Sequence, residues 1–232
     1  MASVSVEHIT KNAKNKSIFN NFTIHFPANK IIGLIGENNL HASVLLMLIA
    51  DILKPDEGYV FINNEVVGIK TRRGVSYIVP PDIFYPNMNI NDAIRYFQDL
   101  YDDFEPQPLK QLCNMYGIDL NTLIKSLSIS QLRLVSMVLC LSRQVPLYIL
   151  DLYILGQDLE HNEDFMKGIL GIICNIKSPR TIIINSPSIS DYSPILQEIT
   201  IIREDKRVVS ASIDSLNNTN RTISEFYSDA IK

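Results

Sequence analysis

Residues 33–43 have the sequence GLIGENNLHAS. An apolar run over residues 30–35 leads into this stretch, and a longer one over residues 43–53 follows it. The first run has the length of a buried strand, whereas the second is long enough to favour a buried helix. A glycine-containing loop between a buried strand and a helix is where a phosphate-binding loop belongs, because helix N-termini attract anions. The stretch therefore predicts an α/β core with a loop of this type at its centre.

The spacing within this loop can be compared with the phosphate-loop pattern G-x-x-x-x-G-K-S/T. Counting from Gly36, the second glycine falls on His41. The lysine position is then Ala42, and the hydroxyl position is Ser43. By itself the match is weak, because a glycine and a serine near a helix start usually serve as a turn and an N-cap.

Composition narrows the class of protein. The chain has 232 residues, 46% of them hydrophobic and 20% charged, as in an ordinary globular protein. A formal net charge of −4 argues against a nucleic-acid partner, which normally needs a basic face. We expect no signal peptide or membrane span, because no apolar run reaches about 18 residues. The histidines have no ligand spacing, so no metal site is expected.

Short apolar runs and helical periodicities alternate along the chain. Strands are predicted over residues 18–26, 30–35, 59–62, 147–151, 181–185, 199–203 and 207–210. Helices are predicted over residues 43–53, twice within 91–117, and over 128–142, 165–176 and 223–230. This order predicts a single α/β domain over residues 1–232 with a mainly parallel sheet, an N-terminal antiparallel β subdomain and a helical insertion over about residues 88–145.

Further short motifs follow the phosphate loop in a fixed order. They are LKPDEG at 53–58, VPP at 79–81, YPNMNI at 85–90, LSISQ at 127–131, ILD at 149–151 and GQD at 156–158. In this order, and over nearly its whole length, the chain resembles the ABC transporter ATPase family. It is most similar to the ATP-binding subunits of bacterial ABC-2-type exporters. The resemblance implies a P-loop NTPase-like fold. In that fold, residues 33–43 are the Walker A loop, VPP and YPNMNI are the Q-loop and its continuation, LSISQ is the signature, ILD is the end of the Walker B strand and GQD is the D-loop.

At the positions that hydrolyse ATP in that family, the sequence has other residues. Ala42 stands where the family has the Walker A lysine, and Leu152 where it has the glutamate that orients the attacking water. Leucine accepts no proton, and general-base catalysis contributes about a hundred- to ten-thousand-fold. Pro187 replaces the switch histidine, and Pro81 replaces the Q-loop glutamine. The sequence therefore predicts a pseudo-ATPase with no catalytic residues.

The resemblance also marks nucleotide-binding positions, which we expect to be vestigial. They are Gly36, Asn38, His41, Ser43, Ser128, Asp151 and Asp158. A charge-assisted hydrogen bond is worth roughly 1.5 to 3 kcal/mol, so the missing lysine should weaken phosphate binding strongly. The signature keeps Ser128, but Ile129 and Ser130 replace its glycines. We expect no bound cofactor, or weak binding of Mg-ATP.

The resemblance implies partners as well. They are a transmembrane permease subunit and either a second, competent ABC ATPase subunit or a second copy of this chain. Docking on the permease is expected at Pro81, Phe84, Tyr85 and Met88, although these residues could equally pack against the helical insertion. Such a subunit would lie in the cytoplasm, on the inner face of the membrane.

The sequence thus favours a catalytically degenerate subunit of an ABC transporter, with a structural or regulatory role. An exporter of a peptide, bacteriocin or drug is the type that the resemblance suggests. One alternative is a divergent ABC protein that binds or slowly hydrolyses ATP through Ser43, Asp151 and Asp158. Another is a soluble regulatory or immunity-type binding module, because the fold alone does not determine function.

Overall fold

The computed structural model describes residues 2–13, 16–78, 80–85, 87–155, 163–176 and 179–232. Its strands are β1 (Val4–Ala13), β2 (Lys16–Phe26), β3 (Ile31–Gly36), β4 (Glu57–Ile62), β5 (Glu65–Val66), β6 (Val75–Tyr77), β7 (Leu147–Asp151), β8 (Thr181–Asn185), β9 (Glu198–Ile202) and β10 (Val208–Ser212). Its helices are α1 (Asn39–Ile49), α2 (Ile69–Arg72), α3 (Ile90–Leu100), α4 (Gln107–Met115), α5 (Ile129–Leu141), α6 (Glu163–Asn175), α7 (Ile213–Asn218) and α8 (Ile223–Ala230).

The larger sheet has the strand order β10-β9-β3-β8-β7-β6. All neighbouring strands from β9 to β6 are parallel, and β10 joins the edge in an antiparallel hairpin with β9. Every residue of β7 and β8 is buried, as expected for central strands that are covered on both faces. The predicted α/β class with a mainly parallel sheet is confirmed.

The smaller sheet is antiparallel, with the order β2-β1-β4-β5. Its β4–β5 hairpin turns at Asn63 and Asn64, which both have positive φ angles of 53° and 64°. Asparagine tolerates this conformation, and a two-residue turn of this kind matches the twist of the paired strands. The sheet shares one apolar core with α1, in which Phe19, Phe26 and Leu45 are fully buried. The predicted antiparallel subdomain is therefore present.

The predicted helical insertion corresponds to α3, α4 and α5, which follow one another between β6 and β7. Apolar side chains at helical spacing, such as Ile94, Phe97 and Leu109, pack together in its core. This core continues into the sheet through buried side chains of β7 and β8. Among the described residues, no helix has the length and apolarity required to cross a lipid bilayer.

The bounds of α1 differ from the prediction. The helix begins at Asn39 rather than at residue 43, because the side chain of Asn38 caps it by accepting a hydrogen bond from the Leu40 N–H. It ends at Ile49, shortly before Asp51 takes a left-handed conformation with φ of 58°. Ser43 therefore lies inside the helix, and the prediction that it caps the N-terminus is wrong.

Candidate functional site

The carboxyl ends of three parallel strands bring the candidate site residues together. Gly36 is the last residue of β3, and Asp151 ends β7 directly beside Asn185, the last residue of β8. β8 also pairs with β3, through Leu34 opposite Asn185. Ligands of open α/β folds bind at this edge of the sheet. The Walker A loop and the Walker B aspartate that the sequence predicted are therefore neighbours.

The loop between β3 and α1 is short and is held by a hydrogen bond within its own backbone. Only Glu37 and Asn38 separate the strand from the helix, and the His41 N–H donates to the Asn38 carbonyl at 3.0 Å. A Cβ atom at Gly36 would lie 2.5 Å from that same Asn38 oxygen. Since a contact this short is sterically forbidden, the turn requires a glycine at position 36.

The β9–β10 turn packs onto this loop. The Glu37 N–H donates to the Ile202 carbonyl at 2.9 Å, and the Glu37 carboxylate accepts from the Glu204 N–H at 2.8 Å. The Lys206 ammonium nitrogen lies 2.6 Å from Nε2 and 3.1 Å from Nδ1 of the buried His41. Burial, followed by the charge of Lys206, holds the pKa of His41 below its usual value. We refer to these contacts of residues 202–206 with Glu37 and His41 as the turn latch.

The turn latch was missed by the sequence reasoning. Lys206 is 165 residues away from His41, and nothing in the local pattern of the β9–β10 hairpin indicates a contact with the loop. The ordering of β9 next to β3 in the sheet creates the contact, and that order was not predicted. His41 thus has a specific cationic neighbour in the folded chain.

Ala42 and Ser43 have separate environments in α1. The Ala42 side chain is fully buried in the core that α1 shares with the antiparallel sheet. The Ser43 side chain lies near enough to the carboxylate of Asp151 to lower the pKa of that group. The residue at the hydroxyl position of the Walker A loop and the Walker B aspartate are therefore neighbours in the fold.

Asp151 is fully buried and its carboxylate has several donors. Asn185 Nδ2 donates to Oδ1 at 2.9 Å, and the Tyr77 hydroxyl lies 3.4 Å from Oδ2. Ser43 and the Tyr153 backbone also stabilise the charged form. Burial nevertheless dominates and raises the pKa of Asp151. The sequence reasoning did not identify Tyr77 and Asn185, which end the strands β6 and β8 on either side of β7.

The amide of Asn185 is only half satisfied. Its Nδ2 is bonded to Asp151, but Oδ1 is buried and has no hydrogen-bond partner among the described residues. Burying an acceptor without a partner is costly, typically by about 1–3 kcal/mol. The site therefore holds an unpaired oxygen next to a buried carboxyl group.

Three further positions lack the catalytic residues of the family: Leu152, Pro187 and Pro81. Leu152 is buried at the start of a short 3-10 turn that follows β7, and it packs in the core of the helical insertion. Pro187 is exposed after β8, and Pro81 opens another 3-10 turn. Asp158, a predicted nucleotide-binding position, lies outside the described residues.

The signature serine caps α5. Ser128 Oγ accepts a hydrogen bond from the Gln131 N–H at 3.2 Å, and Gln131 Oε1 accepts one from the Ser128 N–H at 2.9 Å. This reciprocal capping box satisfies N-terminal donors of the helix from within the chain. Next to it, the Ile129 side chain is 68% exposed.

The predicted docking residues have different environments. Phe84 is only 7% exposed and belongs to the core of the helical insertion, so its assignment to a docking surface is wrong. Its burial agrees with the alternative that this residue packs against the helical insertion. Met88 is partly buried against the same core. Tyr85 is 71% exposed and remains free for contact with another protein.

A cleft of about 470 Å³ opens between the core and the insertion. Its lining includes Arg72, Arg73, Tyr77, Tyr101, Asp103 and Arg143. The buried Arg143 guanidinium donates to both Asp103 oxygens at 2.9 Å and lies 4.0 Å from the centre of the Tyr101 ring. It also donates to the backbone carbonyls of Arg73 and Val75. No cluster of metal-ligating side chains occurs in the described part of the chain.

Comparison with known proteins identifies the family. The model of the family described as ABC transporter matches residues 19–152, which is more than half of the chain. The chain therefore belongs to the ABC transporter family and has the fold of its ATP-binding subunits.

Two curated relatives illustrate the range of similarity. The Fe(3+) ions import ATP-binding protein FbpC 1 of Pectobacterium atrosepticum is 26% identical over 95 residues, covering 40% of this chain and 27% of the relative. The bacitracin transport ATP-binding protein BcrA of Enterococcus faecalis is 22% identical over 231 residues, covering 96% of this chain and 73% of the relative. The iron-import match thus spans only about a quarter of that relative, and importers as well as a bacitracin transport protein are similar to this chain.

Solved structures show the same fold. An ATP-binding subunit of an ABC transporter superimposes with a TM-score of 0.78 at 16% identity, over 97% of this chain and 98% of that one. A bacterial Atm1-family ABC exporter with ATP bound gives a TM-score of 0.75 at 14% identity, over 98% of this chain and 42% of that one. At these identities the likeness concerns the fold alone.

Proposed function

We propose that this chain is an ABC transporter subunit that does not hydrolyse ATP and that acts as a structural or regulatory partner of other transporter subunits. The observation that carries the proposal is Leu152. Its buried side chain occupies the position directly after Asp151, where hydrolysis requires a carboxylate that orients water. No other carboxylate is hydrogen-bonded to Asp151 among the described residues.

The poor fit of the site to Mg-ATP supports the same proposal. Ala42 offers no charge to a phosphate, and the loop beside it is closed by the turn latch, with Lys206 against His41. Asn185 donates to the Asp151 carboxylate at 2.9 Å, and the Tyr77 hydroxyl donates to it at 3.4 Å. A magnesium ion would have to break these hydrogen bonds, and burial already disfavours the charged carboxylate it would need. We therefore expect Mg-ATP to bind weakly.

The partners in this proposal are a membrane-spanning permease and either a second ABC ATPase subunit or a second copy of this chain. The subunit would then lie at the cytoplasmic face of the membrane. We favour an exporter of a peptide, bacteriocin or drug, with support from BcrA, a bacitracin transport protein that matches over 96% of the chain; a ribose import and an osmoprotectant import protein match over 90% and 92% of it. The exposed Tyr85 and the cleft between the insertion and the core are the proposed places of contact with the permease.

Thermal unfolding with and without Mg-ATP tests the binding part of the proposal. A ligand at a hundred times its Kd stabilises the native state by about 2.7 kcal/mol, which raises the melting temperature by several degrees. We expect millimolar Mg-ATP to leave the melting temperature of this chain unchanged. A rise that Ser43→Ala abolishes would contradict the proposal, because Ser43 would then be a working magnesium ligand.

A further inference from the structure

The outer face of the antiparallel sheet departs from the usual alternation of side chains at the β4–β5 hairpin. In a sheet that covers a core with one face, inward residues are apolar and outward residues are polar. In β4 the inward Val60 and Ile62 are buried, but the outward residues are the aromatic Tyr59 and Phe61. Tyr59 is 62% exposed. The hairpin therefore presents aromatic surface where polar side chains are expected.

The register of the sheet places further side chains on this face, because residues directly opposite each other share a face. Val66 of β5 lies opposite Phe61 and is 53% exposed. On β1, Ser5 lies opposite Phe61 and Glu7 lies opposite Tyr59. The centroids of the Tyr59 and Phe61 rings are 6.1 Å apart. We refer to Tyr59, Phe61, Val66 and Glu7 as the hairpin patch.

Strand pairing explains only part of the hairpin patch. An aromatic ring opposite a β-branched residue stabilises a hairpin, so the pair of Phe61 and Val66 has a role within the fold. Tyr59 has no such pair, because the residue opposite it is Glu7. Its largely exposed ring is therefore available for contact with another molecule.

The charges next to these rings are negative. Glu7 and Glu57, which lies two residues before Tyr59, are both exposed, and neither forms an ion pair with another described residue. Lys11, the lysine of β1, is already paired with Asp56 at 2.8 Å. Unpaired carboxylates beside an apolar surface attract cations and repel anionic partners such as nucleic acids and acidic lipids. The hairpin patch is therefore suited to a basic partner.

We propose that the hairpin patch binds a basic segment of another protein, whose arginine or lysine side chains lie over the rings of Tyr59 and Phe61 and pair with Glu7. The face of an aromatic ring attracts a cation because the ring quadrupole is negative there. A guanidinium stacks flat on such a ring and also pairs with a carboxylate. No side chain of the patch lines the cleft, so we assign it to a partner other than the permease. The proposal does not depend on whether the chain hydrolyses ATP.

Fluorescence anisotropy of a dye-labelled hexa-arginine peptide, titrated with the full chain, tests the proposal. The peptide should bind saturably at low ionic strength and more weakly as salt is added, because the contact is open to solvent. A hexa-citrulline peptide, in which a neutral ureido group replaces each guanidinium, should not bind. The double variant Tyr59→Ser/Glu7→Gln should bind hexa-arginine about fivefold more weakly than the wild type, since it loses one ring face and one carboxylate.

A matched control is available on α3. Tyr96 is 42% exposed and Asp99 is also exposed, so Tyr96→Ser/Asp99→Asn removes one tyrosine and one carboxylate from another part of the surface. Both double variants make the formal net charge of −4 less negative by one unit. The control should bind hexa-arginine like the wild type. Circular dichroism should show that both variants fold, because the substituted side chains are exposed.

Several results would overturn the proposal. Hexa-arginine that does not bind, or hexa-citrulline that binds equally well, would show that the patch does not recognise cations. An equal loss of affinity in the two double variants would mean that the peptide responds to net charge alone. A dimer in sedimentation velocity that Tyr59→Ser/Glu7→Gln dissociates would show that a second copy of the chain covers the patch instead.

Discussion

At the scale of single residues, the most informative contact is that between His41 and Lys206. It places a cation from the β9–β10 turn against a side chain of the loop that follows β3. Such a contact is not visible in a sequence, because it depends on which strand lies next to β3 in the sheet. The sequence identified His41 as a replaced glycine, but not what the side chain does.

The pKa of His41 gives a prediction on stability. Burial lowers it first and Lys206 second, while Glu204 acts in the opposite direction, so the folded chain binds fewer protons here than the unfolded chain. For a group of this kind, stability is fully present above the unfolded pKa of about 6.5 and falls as the pH drops below it. We expect a smaller free energy of unfolding at about pH 5.5 than at about pH 7.5, measured by denaturant titration.

Two glutamine variants provide the comparison. His41→Gln should remove part of this pH dependence, because the titrating imidazole is gone. His25→Gln, at an exposed position on β2, should keep it. An equal pH dependence in the wild type and His41→Gln would show that His41 does not contribute.

Two other residues show why the sequence misled. Serine is favoured as a cap at helix starts, but Asn38 forms the cap of α1, five residues before the predicted helix start at Ser43. Phe84 was assigned to a docking surface because of the family resemblance, yet tertiary packing buries it. A local sequence pattern does not show which of two suitable residues caps a helix. It also does not show which side chains are buried by contacts with distant parts of the chain.

At the scale of secondary-structure elements, Arg143 connects the helical insertion to the core. Its buried guanidinium is bonded to Asp103 and to the carbonyls of Arg73 and Val75, next to the strand β6. One side chain thus joins the segments before and after α3–α5. The connection also shapes the wall of the cleft between them.

Removing the partner carboxylate should destabilise the chain. Asp103→Ala leaves a buried guanidinium without its counter-ion, and we expect the free energy of unfolding to fall by about 2 kcal/mol. The adjacent Asp102 is exposed, so Asp102→Ala should change it by less than about 0.5 kcal/mol. Equal effects of the two substitutions in urea unfolding would show that the ion pair between Arg143 and Asp103 does not stabilise the fold.

Element prediction succeeded for most elements with a sustained apolar pattern, but it missed the ten-residue strand β1 and several short elements. The helices α3, α4 and α5 and the buried strands β7 and β8 were predicted close to their observed bounds, because each has a sustained apolar pattern. β6 was missed, since three residues give no period to detect. α7 was missed for a similar reason, because it has only six residues.

At the scale of the whole molecule, the fold was predictable because several motifs occur in a fixed order with family spacing. The order and spacing of the motifs restrict the possible order of strands and helices far more than any single motif does. The match of the ABC transporter family to residues 19–152 confirms the family and the fold. The loss of catalysis remains a proposal, supported by the side chains at positions 42 and 152.

Docking on a membrane-spanning partner belongs to this scale. Co-expression with a permease encoded next to this chain should yield a complex that Tyr85→Asp and Arg73→Glu weaken, because Tyr85 is an exposed residue of the proposed docking segment and Arg73 lines the cleft between the insertion and the core. Tyr59→Asp, at a similarly exposed tyrosine on β4, is the matched control and should leave recovery of the complex unchanged. Undiminished recovery of the complex with both variants would contradict docking at these residues.

The most direct test of the central claim is the rate of phosphate release from Mg-ATP, measured for the chain alone and in its purified transporter complex. A complex containing a second, competent ATPase subunit should be measured with that subunit inactivated. We predict that the rate attributable to this chain equals that of its Asp151→Asn variant, because neither Ala42 nor Leu152 supplies the group that catalysis needs. Measurable hydrolysis that Asp151→Asn abolishes would contradict the account.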